Sequence, residues 1–480
     1  MDVTSFGNHI DGAWVAAGEH MPAINPATGE LLAWLPQSDR ACAREAVAAG
    51  KAAQPGWAAL PVWQRAEHCL AIAAAIDDGR DRIARTLSLE QGKPLGQATG
   101  EVAKAADGFR LAAELVRQLR GETLPAEDPS KLIITIRQPR GVYAVITPWN
   151  YPVNIPVEYL APRIATGNSI VWVSAPSTSL VAVELMRAIA STGLPPGVIN
   201  LVMGEGPTVG DEIVIHPDVD GIGFTGSAAT GRRIAERGAG KPLLLELGGN
   251  GPLLVFEDAD LDRAAAAAAT GAFSNAGQIC AATGRVLAHH SVVEPLAERI
   301  AAHAREHVLG DPLHQGTTMG PLNNAKVAAK VRQHVEEAVT AGATLVVGGR
   351  ARPDLGSELF FEPTVLTGVT RGMRINREET FGPVVPILAF KDDAEALDLA
   401  LDSEYGLSVG VFTADLERGL TFAERIPAGI VNINDGSTYW EIHLPFGGGP
   451  GTVSGTGRLG GRHTLEAMTE VKMITITRQR

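Results

Sequence analysis

The distribution of apolar and polar positions divides the chain into a helical opening and two alternating strand–helix series. From Asp39 to Leu119, stretches such as RAEHCLAIAAAIDD and EVAKAADGFRLAAELVRQLR repeat apolar residues three and four apart, with charged residues between them. That period predicts amphipathic helices lying on a larger body. After Pro125, KLIITIRQPRGVYAVIT reads as strands, and the short apolar runs SIVWV, VINLVM, GIGFT and LLLEL then alternate with helical stretches such as SLVAVELMRAIAST and ATGRRIAERG. Such alternation predicts βαβ units on a parallel sheet. A second series follows Gly251: PLLVF, the helix LDRAAAAAATGAFSNAG, the strand RVLAH, the long helix SVVEPLAERIAAHAREHVLG, then TLVVGG, VVPILAF and GLSVGVF. Two α/β lobes joined near Gly248–Gly251 are expected. The final EAMTEVKMITIT ends in a period-2 strand expected to pair with KLIITI or with another subunit.

Composition narrows the class. At 480 residues the chain is long enough for about three lobes and a full core without staples. Lys and Arg number 41 against 54 Asp and Glu, and the resulting net charge of −13 argues against nucleic acid as the main partner. The three cysteines, Cys42, Cys69 and Cys280, have no short paired spacing, so neither a disulfide framework nor a zinc knuckle is expected. The chain opens without a basic segment leading into an apolar run, and no stretch of about 18 apolar residues occurs. A cytoplasmic protein with no membrane contact is expected.

Several motifs carry candidate chemistry, each beside a plainer reading. Gly221/Gly223/Gly226 and Gly455/Gly457/Gly460 both match G-x-G-x-x-G, but neither lies between a strand and a helix as a dinucleotide fingerprint requires. The stretch from Gly226 and Ser227 to Gly231 opens a helix whose free N–H groups suit a pyrophosphate, or is an ordinary helix start. His303, Glu306 and His307 have the H-x-x-E-H spacing of some zinc peptidases, yet they end an amphipathic helix beside Gly-Asp-Pro with no third ligand, so no metal is expected. Cys280, in FSNAGQICAATGR, is a buried small hydrophobe or a nucleophile; Cys42 and Cys69 read as packing residues in Ala-rich helices. Glu246, 34 residues upstream of Cys280, ends an apolar strand beside two glycines, where a carboxylate can swing toward a water as general base. Asn150, pinned in TPWNYP between two prolines, is either an oxyanion donor or a turn residue bonding its own backbone. Glu379 and Phe381 in REETFGPVV are candidates or simply loop.

Taken together, TPWNYP, FTGSAATG, LELGG, AGQIC, EETFGPVV and SGTG occur in the order and spacing of the aldehyde dehydrogenase superfamily, and the resemblance spans nearly the whole chain. It implies oxidation of an aldehyde to the acid with NAD or NADP, by an oxidoreductase of the hydrolytic type. Cys280 resembles the thiolate that forms a thiohemiacetal, Asn150 and the Cys280 N–H resemble the oxyanion hole, and Glu246 resembles the base that hydrolyses the thioester. Gly226, Ser227 and Gly231 resemble the pyrophosphate site, Glu379 the ribose ligand and Phe381 its neighbour against the nicotinamide. Ile146, Trp149 and Leu247 would line the cofactor groove. The implied architecture is α/β: a Rossmann-like NAD(P)-binding domain (1–123 and 141–248), an α/β catalytic domain (249–445), and a β oligomerisation arm with the C-terminal strand (124–140 and 446–480). A homodimer or homotetramer is expected.

Three departures from the family pattern matter. In GNSIVWVSAPSTS, Val173 and Pro176 replace the usual lysine and acidic residue at the adenine ribose. The loop FGGGPGTVSG is two residues longer than usual and lacks a lysine. In the tunnel, Asn154, Glu158 and Ser274 replace apolar or aromatic residues, with Tyr151 and Trp440 as aromatic walls. Asn154 and Glu158 are four apart on one helix face; a carboxylate there disfavours anionic aldehydes and suits a polar substrate, unless Glu158 pairs instead with Arg163. Two rival functions remain at this point: a CoA-acylating relative, disfavoured by Glu246, and a non-catalytic structural or binding relative, favoured by the lost ribose contacts.

Overall fold

The apolar runs pair into two large sheets and two small ones. The structure, a computed structural model, describes residues 4–478; residues 1–3 and 479–480 of the expected outer ranges lie outside the described residues. The first sheet contains β1 (Asn8–Ile10), β2 (Ala13–Val15), β7 (Val142–Ile146), β8 (Ser169–Val173), β9 (Ile199–Val202), β10 (Gly221–Thr225), β11 (Leu243–Glu246) and β19 (Gly455–Thr456). They lie side by side in the order β19-β11-β10-β7-β8-β9-β1-β2, the five central strands parallel. The SIVWV run of β8 is buried at all five positions, as expected of a parallel strand covered on both faces.

Alternate residues of these strands enter two different cores. Tyr143, Val145, Ile170 and Trp172 pack on one face with α2 (Val62–Asp78), α3 (Arg80–Gln91), α4 (Leu95–Val116), α5 (Asn154–Thr166) and α6 (Ser179–Ala190). Val142, Ala144, Val171 and Val173 pack on the other with α1 (Arg40–Ala59), α7 (Asp211–Ile215) and α8 (Ala228–Arg237). Period 2 in the strands thus produces a three-layer sandwich. Local signals set helix ends: Asp39 caps α1 by accepting from Cys42 N–H, and Ser227 caps α8 by accepting from Thr230 N–H.

The chain crosses to the second sheet within residues 247–251. That sheet holds β12 (Pro252–Val255), β13 (Arg285–His289), β14 (Thr344–Val347), β15 (Thr364–Thr367), β16 (Val384–Phe390), β17 (Ser408–Phe412) and β18 (Ile430–Ile433), in the order β14-β15-β16-β13-β12-β17-β18. It has its own core, covered by α9 (Leu261–Phe273) and α10 (Val293–Glu306) among others. The helix predicted to run through SNAG stops at Phe273; Asn275, Ala276 and Gly277 take positive φ of 50°, 53° and 71° and turn the chain. A side chain at Gly277 would collide with the Gly382 carbonyl, so this tight turn depends on glycine there.

A three-stranded sheet joins β5 (Thr123–Leu124), β6 (Lys131–Pro139) and β20 (Thr469–Thr477). The C-terminal strand pairs with all nine residues of β6, which begins with KLIITI, from Thr469↔Pro139 to Thr477↔Lys131. Of the segment expected as arm, β19 joins the eight-stranded sheet, and the helix Gly461–Ala467 packs on α4 and α5. A hairpin of β3 (His20–Ile24) and β4 (Leu31–Pro36) forms the last sheet.

Candidate active site

Four parallel strands of the first sheet deliver the candidate residues at their carboxyl ends, where open α/β sheets bind ligands. β7 ends at Ile146 and leads to Trp149 and Asn150; β8 ends at Val173; β10 leads to Gly226 and Ser227; β11 ends at Glu246. The second sheet contributes Cys280, from the turn between α9 and β13, and Glu379 and Phe381, from the loop before β16.

Cys280 is seated by backbone contacts. A side chain at Gly249 would run into the Cys280 carbonyl oxygen, so LELGG and AGQIC approach closely only because glycine stands at 249. Asn150 is buried, its Nδ2 donates to the Gln278 carbonyl (3.0 Å), and its own carbonyl accepts from Asn275 Nδ2 (3.1 Å). An amide Nδ2 carries two hydrogens, so one remains for a ligand. The turn alternative for Asn150, a bond to its own backbone, is not what the structure holds. Burial pushes the Cys280 thiol well up, and the charges of Glu379, Glu246 and Glu158 push the same way. The resting form is therefore the neutral thiol.

Glu246 is 2% exposed and neither of its oxygens has a partner in hydrogen-bond geometry; the Leu459 N–H, which donates to the Phe446 carbonyl, lies close enough only to oppose the rise of its pKa. Burial raises its pKa well above the carboxylate range, Glu158 adds to the shift, and Arg458 opposes it. The long glycine loop lies against this carboxyl: Oε1 would sit 2.9 Å from a side chain at Gly447, and Ser454 Oγ donates to the Gly248 carbonyl at 2.8 Å. A buried carboxyl with free oxygens beside a cysteine is suited to taking a proton from a water.

Several of the cofactor candidates are in mutual contact. Trp149 and Phe381 meet edge to face with centroids 5.5 Å apart, and Phe381 takes φ 59°. Glu379 Oε1 accepts the Gly249 N–H at 2.9 Å; burial raises this carboxyl to about 7 against the pull of that bond and of Lys330. Leu247 packs beneath Gly231, where a side chain would strike its methyl groups. At the start of α8 the first N–H groups after Ser227 have no intrahelical acceptor, which fits a pyrophosphate. These donors, the carboxylate and the aromatic edges fit a dinucleotide. Val173 is buried at the end of β8 and Pro176 opens the short turn Pro176–Thr178, so neither supplies a charge at the ribose position.

The substrate candidates divide. Asn154 Nδ2 donates to Glu158 Oε1 at 2.6 Å, while Asn154 Oδ1 is buried without a partner. Burial raises Glu158 to about 8; the Asn154 bond lowers it, Glu101 raises it and Lys104 lowers it. Pairing with Arg163 does not occur: that guanidinium is fully buried, donates to the Tyr159 carbonyl and stacks on Tyr143 and Tyr159. Tyr151 lies near Cys280, whose charge contributes to raising its hydroxyl after burial and Glu101. Glu158 lines a cavity with Gly108, Val157, Ile442 and Gly460, whereas Ser274 lines another, of about 300 Å³, with His303, Glu306, His307 and Thr318. The two cavities have no lining residue in common. Trp440 packs edge to face on Phe446 and donates to the Leu444 carbonyl. Among the described residues, no three His, Cys, Asp or Glu side chains gather to hold a metal. His307 instead meets Thr318 Oγ1 (3.2 Å) and the Phe273 ring.

Sequence reasoning missed Arg458, which moderates Glu246, and the buried pair Lys93 and Glu101 behind Asn150. Glu101 did leave a signal, since it falls on the apolar stripe of α4 with Ala98 and Ala105.

Comparison with known proteins agrees with this geometry. The model of the aldehyde dehydrogenase family matches residues 14–474. Glutarate-semialdehyde dehydrogenase of Pseudomonas putida is 37% identical over 473 residues, covering 98% of this chain and 97% of the relative. Succinate-semialdehyde dehydrogenase [NADP(+)] of Escherichia coli is 38% identical over 471 residues, covering 97% of each. A crystal structure of an E. coli NADP-dependent enzyme superimposes with a TM-score of 0.95 at 37% identity, covering 98% of both chains.

Proposed function

The chain belongs to the aldehyde dehydrogenase family, NAD(P)+-dependent enzymes that oxidise aldehydes to acids, and from that premise we propose how its residues divide the work. The Cys280 thiol gives up its proton to solvent, the thiolate Sγ adds to the aldehyde carbon, and the carbonyl oxygen becomes an alkoxide held by the free Asn150 N–H and the Cys280 backbone N–H. Bound NAD(P)+ would supply the hydride acceptor that turns this thiohemiacetal into a thioester. Glu246 then takes a proton from water as the water oxygen attacks the thioester carbon. The C–S bond breaks, the acid leaves, and the sulfur is restored. The observation that carries the reading is the convergence of Cys280, the unpartnered Glu246 carboxyl and the Asn150 amide where the two sheets meet.

The cofactor lies along Ile146, Trp149, Leu247, Glu379 and Phe381, with its pyrophosphate at Gly226–Gly231, so residues 1–123 and 141–248, which supply every strand of the first sheet except β19, are the cofactor domain and 249–445 the catalytic domain. With Val173 and Pro176 at the ribose, discrimination between NAD and NADP is weak. The substrate is polar, because Glu158, whose charge acts on Cys280, and its partner Asn154 offer it polar groups, and once Glu158 ionises above about pH 8 an anionic substrate is disfavoured. A second reading, a semialdehyde of a dicarboxylic acid, has in its favour the printed names of the two relatives. Exposed Val471 and Met473 on the nine-residue strand β20, together with Ile136 on β6, support a homodimer or homotetramer through this arm. No helix among the described residues is long and apolar enough to cross a membrane, and a cytoplasmic location is proposed. NAD(P)H formation at 340 nm, with each cofactor and a panel of cationic, neutral and anionic aldehydes, tests the reading. No turnover with any of them rejects it in favour of a non-catalytic relative.

A further inference from the structure

Lys93 and Glu101 form an ion pair that is almost wholly buried, in the layer behind the Asn150 turn. Lys93 follows Gly92, which ends α3 with φ 99°, and Glu101 lies two turns into α4. Besides Glu101, Lys93 Nζ donates to the Asn150 carbonyl at 3.0 Å and stands 3.9 Å from the centre of the Tyr151 ring. Glu101 keeps one oxygen for Lys93 and with the other accepts the N–H groups of Val153 (2.9 Å) and Asn154 (3.1 Å). The pair therefore grips both ends of the turn that carries Asn150 and Tyr151.

Burying two charges is costly, and an apolar pair of equal volume often packs as stably or better. Packing alone thus gives no reason for charge here. What an apolar pair cannot do is donate to the carbonyl of residue 150 while accepting from the N–H groups of 153 and 154. We propose that Lys93 and Glu101 are positioning residues that fix the aim of the Asn150 amide at the oxygen of the carbonyl attacked by Cys280. The inference rests on the reading of Asn150 as oxyanion donor.

Two reactions of Cys280 separate aim from general integrity. Attack on p-nitrophenyl acetate passes through a tetrahedral alkoxide: the S–C bond forms, p-nitrophenolate leaves, and the acetyl thioester is hydrolysed to acetate. Alkylation by iodoacetamide forms an S–C bond at a saturated carbon with loss of iodide, and makes no oxyanion. Removing one oxyanion donor costs roughly a hundredfold to a thousandfold, so Asn150→Ala should lose about that factor in acylation and keep its alkylation rate. The double variant Lys93→Met/Glu101→Met leaves no orphaned charge, and it should lose roughly tenfold to a hundredfold in acylation, a part of the donor's worth, with alkylation unchanged. Glu101→Gln, which keeps an acceptor for the 153 and 154 N–H groups, should lose less. Unchanged acylation in the double variant, or equal loss of acylation and alkylation, overturns the positioning role while a deficient Asn150→Ala leaves the oxyanion reading standing. Full acylation by Asn150→Ala overturns both. Should the double variant not fold, Glu101→Gln decides by the same two rates: a loss confined to acylation supports the role, and no loss or an equal loss overturns it.

Discussion

Replacing Glu158 with glutamine should flatten a pH-dependent preference between charged aldehydes. The wild-type carboxyl is raised to about 8 by burial, so it is neutral at low pH and gains its charge as pH rises through about 8. About a tenth is ionised at pH 7 and about nine tenths at pH 9. Two opposite charges roughly 6 Å apart at an effective dielectric of about 20 attract by about 2.8 kcal/mol. At pH 7 a cationic aldehyde must first ionise the group at a cost of about 1.4 kcal/mol, leaving about 1.4 kcal/mol or roughly tenfold. At pH 9 it gains nearly the whole, roughly a hundredfold. An anionic aldehyde meets almost no penalty at pH 7, since the carboxyl is already protonated, and at pH 9 pays at most the protonation, roughly tenfold. The expectation that Glu158 repels anions therefore holds only at alkaline pH. The assay is the ratio of kcat/KM for betaine aldehyde to that for succinate semialdehyde, whose charges are fixed between pH 7 and 9. In the ratio, shared titrations of Cys280 and Glu246 cancel. It should rise roughly a hundredfold more in wild type than in Glu158→Gln, where only the other carboxyls of the site still titrate. A flat wild-type ratio, or a variant that tracks wild type, refutes the placement of Glu158 beside the substrate.

Two other perturbations follow from the same geometry. Glu246→Gln should keep a burst of about one NAD(P)H per site while the steady state falls by roughly a hundredfold or more, the range of a lost general base; stopped-flow absorbance at 340 nm checks it, and a missing burst would place Glu246 before hydride transfer. Because burial raises Glu246, wild-type deacylation should keep accelerating with pH beyond the ordinary carboxylate range, as the base form appears at higher pH than for an exposed carboxylate. Val173→Lys puts a cation at the end of β8 and should tighten cofactor binding by several-fold, with a larger gain for NADP if the 2′-phosphate lies there; unchanged dissociation constants for both cofactors would show that β8 does not end at the ribose.

The sequence was most informative where chemistry is local. The buried run SIVWV and the helix start at Ser227 depend on neighbours in the chain and formed as their local patterns suggested, whereas the glycines of LELGG, read as flexible backbone beside Glu246, serve close approach to Glu379 and Cys280 from distant parts of the chain. Long-range contacts were illegible. Lys93 reaches Asn150 across 57 residues and Glu101 reaches Val153 across 52, so no spacing rule connects them. The end of α9 at Phe273 was missed because SNAG has no helix breaker before Gly277, and the left-handed Asn275 is held by tertiary bonds to Gln97 and Asn150. Arg163 reads as a surface cation in the sequence, yet Tyr143 and Tyr159 enclose it. The neutral resting state of Glu158 is likewise a product of burial, which periodicity does not report.

The central claim is that Cys280 carries the acyl group. Glu246→Gln, mixed with an aldehyde and NAD(P)+ and quenched in acid, should by intact mass and peptide mapping carry one acyl group per chain, on the peptide containing Cys280. The adduct should be absent without cofactor and absent from Cys280→Ala/Glu246→Gln. An acyl group on Cys42 or Cys69, or NAD(P)H formation with no acylated cysteine, would contradict the account.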